Sequence, residues 1–205
     1  MQTVYDTNIR LMLAVQKDDA SAFEALVFRF QGRVQSLFRH LLGSRELAED
    51  LTQDVFLRIF RARKSYQPNA KFVTWLFTIA NNVAMNQMRR KRRKPEVQFG
   101  RDSEDSRYEG LSHQEESVLA SSSSMPSRQV DKIELREMVG IAVGSLNERQ
   151  RMAVLLNRFE GMSYAEIAEV MELSPQAVKS LLCRAHTQLR NLLQKYVQNG
   201  GAVKV

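Results

Sequence analysis

The sequence predicts an all-α protein of two small helical domains joined by a flexible linker. Apolar residues recur at three- and four-residue spacing over residues 1–94 and again over 131–197, and no segment alternates cleanly enough for a strand. Only four prolines and nine glycines punctuate the 205 residues, too few for most small β folds. Between the periodic zones, residues 95–130 change character: Pro95, then Asp102, Glu104, Asp105, Glu109, Glu115 and Glu116, then the run Ser121 to Ser124 and Pro126. Large apolar residues are sparse there, so burial cannot offset the ordering entropy, and a flexible acidic and serine-rich linker is expected. Residues 198–205 read as a frayed tail.

The N-terminal domain, 1–94, reads as four helices. A short one covers 7–17. The second, over 20–42, carries Phe23, Leu26, Val27, Phe30, Val34, Leu37 and Leu41 on one stripe and stops at Gly43. Ser44 is the N-cap of the third, which runs to about Arg63 with Leu47, Leu51, Val55 and Ile59 as its core stripe. The fourth spans about 71–93 on Phe72, Leu76, Ile79 and Val83, and Pro95 ends it.

The C-terminal domain, 131–197, opens with a helix over 131–144 broken at Ser145 to Asn147, then a helix over 148–160 ending at Gly161. Ser163 and Glu166 form a capping box, and the helix they open ends near Met171. Ser174 and Pro175, as N-cap and first helical residue, open the last helix. A short helix, a tight turn and a longer helix describe a helix-turn-helix. Ile167, Ala168, Val170 and Leu173 pack its first half, and Val178, Leu182, Ala185, Leu189 and Leu192 form the inner stripe of its second. Gln176, Lys179, Ser180, Cys183 and Thr187 fall on the opposite side, where a major groove would lie, with Arg184 in reach of phosphate. Cys183 reads as a small contact residue there, because no second cysteine exists to resolve an oxidised form.

Charge sharpens the picture. Arg89, Arg90, Lys91, Arg92, Arg93 and Lys94 carry six of the net +7, leaving +1 for the rest of the chain. Cations near a helix C-terminus complement its dipole. Six in succession repel one another, which favours a polyanion partner such as nucleic acid. Upstream on the same helix, Lys71, Thr74, Thr78, Asn82, Asn86 and Arg89 make a polar side, with Trp75 at its margin. The residue types suit single-stranded nucleic acid, while Trp75 also reads as core beside Phe72 and Leu76. On the third helix Asp50, Gln53, Asp54, Leu57 and Arg61 lie opposite the core stripe. Spacing alone leaves open whether this is a docking patch or an ordinary solvated face.

Several classes are disfavoured. No run reaches the ~18 apolar residues of a membrane span, and Met1 to Asp19 lacks a secretory pattern, so a cytoplasmic protein is expected. One cysteine and three histidines build neither a disulfide nor a structural zinc site, and no metal or cofactor is expected. A nuclease built on Glu49, Asp50 and Asp54 is disfavoured because Glu49 points away from the other two and no phosphate loop accompanies them. A free-standing DNA-binding regulator using only the helix-turn-helix is the main alternative, and it leaves the other two faces unused.

The motifs resemble bacterial sigma factors of the extracytoplasmic-function (ECF) type. Ala48-Glu49-Asp50-Leu51-Thr52-Gln53-Asp54-Val55-Phe56-Leu57 is similar to the family's region 2.2, and Phe72-Val73-Thr74-Trp75-Leu76-Phe77-Thr78-Ile79-Ala80-Asn81-Asn82 to the stretch that follows it. Leu146-Asn147-Glu148-Arg149-Gln150 and Glu160-Gly161-Met162-Ser163-Tyr164-Ala165-Glu166-Ile167-Ala168 resemble region 4. The resemblance implies a non-catalytic promoter-specificity subunit. Asp50, Gln53, Asp54 and Leu57 would bind the clamp helices of the largest subunit of core RNA polymerase. Lys71, Asn82, Asn86, Arg89 and Arg90 would serve the −10 element, with the loop around 64–72 capturing a flipped base. Gln176, Lys179, Ser180, Cys183 and Arg184 would read the −35 element, and the same domain would bind the polymerase flap. An anti-sigma factor would be the regulator. The chain departs from the family's common residues at Asp54, where Glu is usual, and at Lys179 and His186, where Arg is frequent.

Overall fold

Local signals start and stop most of the helices. In the computed structural model the described residues are 7–93 and 138–198, the last four as backbone alone. The linker expected over 95–130, the start of the helix expected over 131–144 and residues 199–205 lie outside them. Helix α1 spans Thr7–Gln16 and α2 Ala20–Leu42. The Asp19 carboxylate caps α2 by accepting from the Ala22 amide at 3.0 Å, and Gly43, at φ 72°, closes it in the left-handed region that a Cβ disfavours. Helix α3 spans Arg45–Ala62 behind the Ser44 cap, a 3-10 turn covers Arg63–Ser65, and α4 spans Phe72–Arg93.

The second half begins with helical residues 138–145, α5. Helix α6 spans Glu148–Arg158, α7 Tyr164–Met171 and α8 Pro175–Gln198. The capping box of Ser163 and Glu166 is present, and the Ser174 hydroxyl accepts from the Ala177 amide at 3.1 Å. Asn147 and Gln150 form a second capping box that opens α6. Among the described residues there is no strand.

Core positions follow the expected stripes in part. On α2 the buried residues are Ala22, Leu26, Phe30, Val34, Leu37, Phe38 and Leu41, with Phe23 and Val27 at the margin. On α3 the buried stripe is Ala48, Thr52, Val55, Phe56 and Ile59, rotated from the expected one, and Leu47 and Leu51 are half-buried. The large Phe56 ring turns that side inward, and Thr52 is accommodated because its hydroxyl donates to the Ala48 carbonyl at 2.6 Å. Trp75 sits at the core margin against Tyr66 and Phe72, with ring centroids 4.8 and 5.9 Å away.

Helix α4 is buried on more than its expected stripe. Besides Phe72, Leu76 and Val83 it hides Thr74, Phe77, Ala80, Asn81, Ala84 and Met88, while Ile79 is only half-buried. Part of the reason is long-range: the two halves pack against each other, α4 on α7 and α2 on α6. Asn81 is 6% exposed and donates from Nδ2 to the Val170 carbonyl at 3.2 Å. Arg33 of α2 donates from Nε (2.9 Å) and Nη2 to one oxygen of Glu160, just beyond α6. Its guanidinium also lies over the Phe30 ring, 5.1 Å from the centroid. A heptad further along α2, the His40 ring stacks on Phe159 at 5.2 Å. Arg151 donates to the Leu41 carbonyl at 2.8 Å, and Lys71 and Arg92 reach Glu166 and Glu148 at 2.8 and 2.5 Å.

The Glu160 side chain is 5% exposed, and its burial pushes its carboxyl above the ordinary value despite the pull of Arg33. Removing one partner of such a pair strands a buried charge, at a cost of about 3–5 kcal/mol. The Arg33→Ala variant is expected to part the two halves near neutral pH, read as a larger radius of gyration by small-angle scattering. An Arg33→Met, Glu160→Met double variant should stay closed. A single variant as compact as the wild type would contradict this role for the pair.

Candidate nucleic-acid interface

Three rows of side chains stand clear of the packed surfaces. On α4, Asn82, Asn86, Arg89 and Arg90 are all exposed. They recur at four- and three-residue steps and so form one edge of the helix. The opposite faces of the same helix are consumed by the core and by α7, which makes this edge narrow. Thr74, expected on the polar side, is instead 3% exposed, and Thr78 is half-buried with its hydroxyl donating to the Thr74 carbonyl at 2.9 Å. None of residues 72–81 is exposed, so the open edge begins at Asn82.

The cation run extends that edge. Arg89 to Arg93 are helical and exposed, and Lys94 lies outside the described residues. Arg92 is drawn to Glu148 on the other half, and Arg89 lines a cleft of about 510 Å³ with Met85, Met88, Arg92 and Arg149. The run is therefore partly a bridge between the halves and partly open positive charge.

On α8, Gln176, Lys179, Cys183 and Arg184 are exposed and Ser180 is half-buried. The inner stripe is as expected, with Val178, Leu182 and Ala185 buried. Ile167, Ala168 and Val170 of α7 are buried beneath it, and Leu173 packs on the core between the two helices. Glu172, at φ 53°, makes the left-handed stop that turns α7 into α8, where glycine is the usual residue. The Ser180 hydroxyl donates to the Gln176 carbonyl at 3.0 Å, which leaves Gln176, Lys179, Cys183 and Arg184 as the freer surface.

On α3, Asp50 and Gln53 are exposed and Leu57 is 53% exposed. Asp54 is half-buried beside Arg58, which pairs with it at 2.9 Å. Glu49 points toward α2, accepting from Gln35 and Arg45 at 3.1 Å each, away from Asp50 and Asp54. These three carboxylates do not converge, and no group of metal-ligating side chains is found among the described residues.

Lys71 connects a candidate nucleic-acid residue to the helix-turn-helix. Its Nζ pairs with Glu166, the acidic member of the α7 capping box, whose carboxylate also accepts from the Ser163 amide at 2.8 Å. The Lys71 ammonium first, and the Ser163 bonds next, lower the Glu166 carboxyl to about 2. Sequence reasoning missed Arg33, His40, Asn81 and Glu160 as the residues that join the halves. A polar residue at an apolar register position, as Asn81 is beside Ala80 and Val83, was the one local signal available.

Comparison with known proteins follows the same division. The Sigma-70 region 2 family matches residues 26–94, and Sigma-70 region 4 matches residues 136–189. The ECF RNA polymerase sigma-E factor of Escherichia coli K12 is 32% identical over 188 residues, covering 92% of this chain and 95% of the relative. The RNA polymerase sigma-H factor of Pseudomonas aeruginosa is 30% identical over 186 residues, covering 90% and 93%. Among solved structures, CnrH in complex with the cytosolic domain of CnrY superposes with a TM-score of 0.65 at 22% identity, covering 93% of this chain and 99% of that one. The sigma factor RpoE of Bartonella quintana, in complex with the anti-sigma factor NepR, gives 0.62 at 22% identity, covering 84% and 96%. At that identity the two structures attest the fold.

The lowered Glu166 value fixes a pH dependence. A carboxyl held below its unfolded value of 4.5 contributes stability above that pH and loses it as pH falls toward 2. Glu166→Gln keeps the capping box but removes the charge that faces Lys71 and the start of α7, and is expected to lower stability by about 0.3–1 kcal/mol near pH 7. The gap from wild type should close between about pH 4.5 and pH 2 in denaturant titrations. A gap that persists unchanged at pH 2 would contradict the assignment.

Proposed function

This chain belongs to the ECF family of RNA polymerase sigma factors, and from that membership we propose how its exposed surfaces work. As a sigma factor it binds core RNA polymerase and directs promoter-specific initiation of transcription. The α3 face of Asp50, Gln53, Asp54 and Leu57 docks on the clamp helices of the largest subunit. The α4 edge, with Lys71, Asn82, Asn86, Arg89 and Arg90, engages the −10 element and helps open it. Amides supply hydrogen bonds to base edges and guanidiniums meet phosphates. The α8 surface of Gln176, Lys179, Ser180, Cys183 and Arg184 reads the −35 element in the major groove, and its domain contacts the flap. As a promoter-specificity subunit the chain contributes no catalysis of its own and acts in the cytoplasm.

The observation that carries this reading is the pairing, in one chain, of an exposed amide-and-arginine edge on α4 with an exposed polar row on the second helix of a helix-turn-helix. A duplex reader alone would use only the second. The closed packing adds a consequence. Elements at −10 and −35 lie about 25 base pairs apart, roughly 85 Å at 3.4 Å per step, whereas a body of this size is roughly 40 Å across. Both elements are engaged together only after α4 and α7 separate. An anti-sigma factor that stabilises the packed form would withhold the chain from promoters, and a membrane-bound origin for such a regulator is compatible with a chain whose described helices include none long and apolar enough to span a bilayer.

Variants separate the three surfaces. Asp54→Arg is expected to weaken core polymerase binding at least tenfold while costing the fold only about 0.5–1 kcal/mol, from the lost pair with Arg58 and the like charge put in its place, and unchanged co-purification would remove the docking role. Asn82→Ala should reduce promoter melting, read by permanganate reactivity, while core binding stays near wild type. Equal loss of both would remove the −10 role. Lys179→Ala should weaken use of the −35 element by about 1–3 kcal/mol, the range for one specific groove contact, and wild-type transcription from every promoter would contradict its placement.

A further inference from the structure

The seam between the halves is not charge-matched along its length. Arg33 meets Glu160 and Lys71 meets Glu166, one cation to one carboxylate. Between α4 and the start of α6 the balance fails. The cleft of about 510 Å³ there is lined by three arginines, Arg89, Arg92 and Arg149, and by a single carboxylate, Glu148. Arg92 takes that carboxylate, and neither Arg89 nor Arg149 makes an ion pair among the described residues. Closing the halves therefore gathers two positive charges in excess around one small space, where they repel.

The cleft has two kinds of wall. Met85 and Met88 lie one turn before Arg89 and Arg92 on α4, at four-residue spacing, so each methionine neighbours an arginine on the same face. Met88 is buried and Met85 half-buried, whereas the three arginines are exposed. Arg149 adds its guanidinium from the second half. The result is a thioether floor under a rim of guanidiniums. A guanidinium fork matches phosphate oxygens in a bidentate way. A methionine sulfur makes favourable contact with an aromatic ring. The volume falls in the usual range for a small-molecule site, about 300–1,000 Å³.

We propose that this cleft binds a nucleoside phosphate, with the phosphates on Arg89, Arg92 and Arg149 and the base against Met85 and Met88, and that the bound ligand clasps the two halves together. A terminal phosphate group carries about −1.5 to −2 charges and three acceptor oxygens, which answers the excess in the cleft. DNA phosphates are not the occupant, because the cleft exists only while the halves are packed and promoter engagement parts them. A ligand that touches α4 and α6 at once binds the packed form alone. At a concentration one hundred times its Kd, it shifts the packed-to-open ratio about 100-fold. That much follows from the packing. The consequence for promoters, that a bound nucleotide holds Arg89 away from the −10 element, rests on the reading of α4 given above.

The test is isothermal titration calorimetry of the full-length chain, at about 0.15 M salt, with ATP, GTP, adenosine and inorganic triphosphate. ATP or GTP should bind saturably, one per chain, with Kd at or below about 1 mM, the upper end of working substrate affinities. Adenosine and inorganic triphosphate should bind at least tenfold more weakly. One charge-assisted phosphate contact is worth about 10- to 100-fold, so Arg89→Gln in the first half and Arg149→Gln in the second should each weaken binding at least tenfold. Neither should lower the melting temperature, because both side chains are exposed and make no ion pair. Arg93→Gln removes an exposed cation of the same run that does not line the cleft, and should leave binding unchanged. No saturable binding, or inorganic triphosphate as tight as ATP or GTP, would overturn the nucleotide assignment. Equal loss in Arg93→Gln would reduce the site to general charge attraction and overturn it as well. Loss with only one of Arg89→Gln and Arg149→Gln would place the ligand on one half and overturn the clasp. The titration contains neither polymerase nor promoter, so these outcomes leave the α4 reading standing, and failure of that reading with Asn82→Ala leaves the cleft standing.

Discussion

The buried carboxylate of Glu160 constrains the rest of the molecule. At 5% exposure it needs a counter-ion delivered from outside its own half, and Arg33 of α2 supplies it. That contact fixes where α2 runs relative to the end of α6. Once it is made, His40 lies one heptad along, against Phe159, and the Leu41 carbonyl is in place for Arg151. Burial holds the His40 imidazole below its ordinary value, so this part of the seam is built around a neutral ring. Helix α7 is thereby set against α4, where Asn81 meets the Val170 carbonyl.

Helix α4 bears the consequences. One side serves the first bundle through Leu76, Ala80 and Val83. Phe77, with the Arg33 guanidinium 5.8 Å from its ring centroid, and Asn81 face the seam. What remains is the edge of Asn82, Asn86, Arg89 and Arg90. Seam and reading edge share one rigid helix, so a change in the packing of the halves changes how that edge is presented. Lys71 and Arg92 make the coupling more direct, because each is held by a carboxylate of the other half. Separation of the halves parts both cations from those carboxylates.

Much of this was legible from the chain alone, and the parts that were not share a cause. Caps are local: Asp19 went unassigned, but Ser44, Ser163 with Glu166, and Ser174 were all readable, because each bonds an amide within three residues. Helix extents and the helix-turn-helix followed from them. The α3 stripe was mis-phased because Leu47 and Leu51 outrank Ala48 and Thr52 in hydrophobicity, while the fold selects the smaller pair for close approach to its neighbours. Asn81 was hidden for a different reason. Its burial depends on a partner 89 residues away in sequence, and single-helix periodicity carries no information about it. Arg33 and Glu160, 127 residues apart, are the extreme case. The exposed rows on α3 and α8 were legible because exposure on an amphipathic helix is the complement of its core stripe.

The central claim is that this chain is a polymerase subunit that selects promoters, with two reading surfaces working together. The most direct measurement is reconstituted transcription: full-length chain, core RNA polymerase and a genomic promoter library, with transcript starts mapped. The account predicts discrete starts that share two upstream elements at a fixed spacing. An absence of transcripts, together with tight duplex binding by the chain without polymerase, would contradict it.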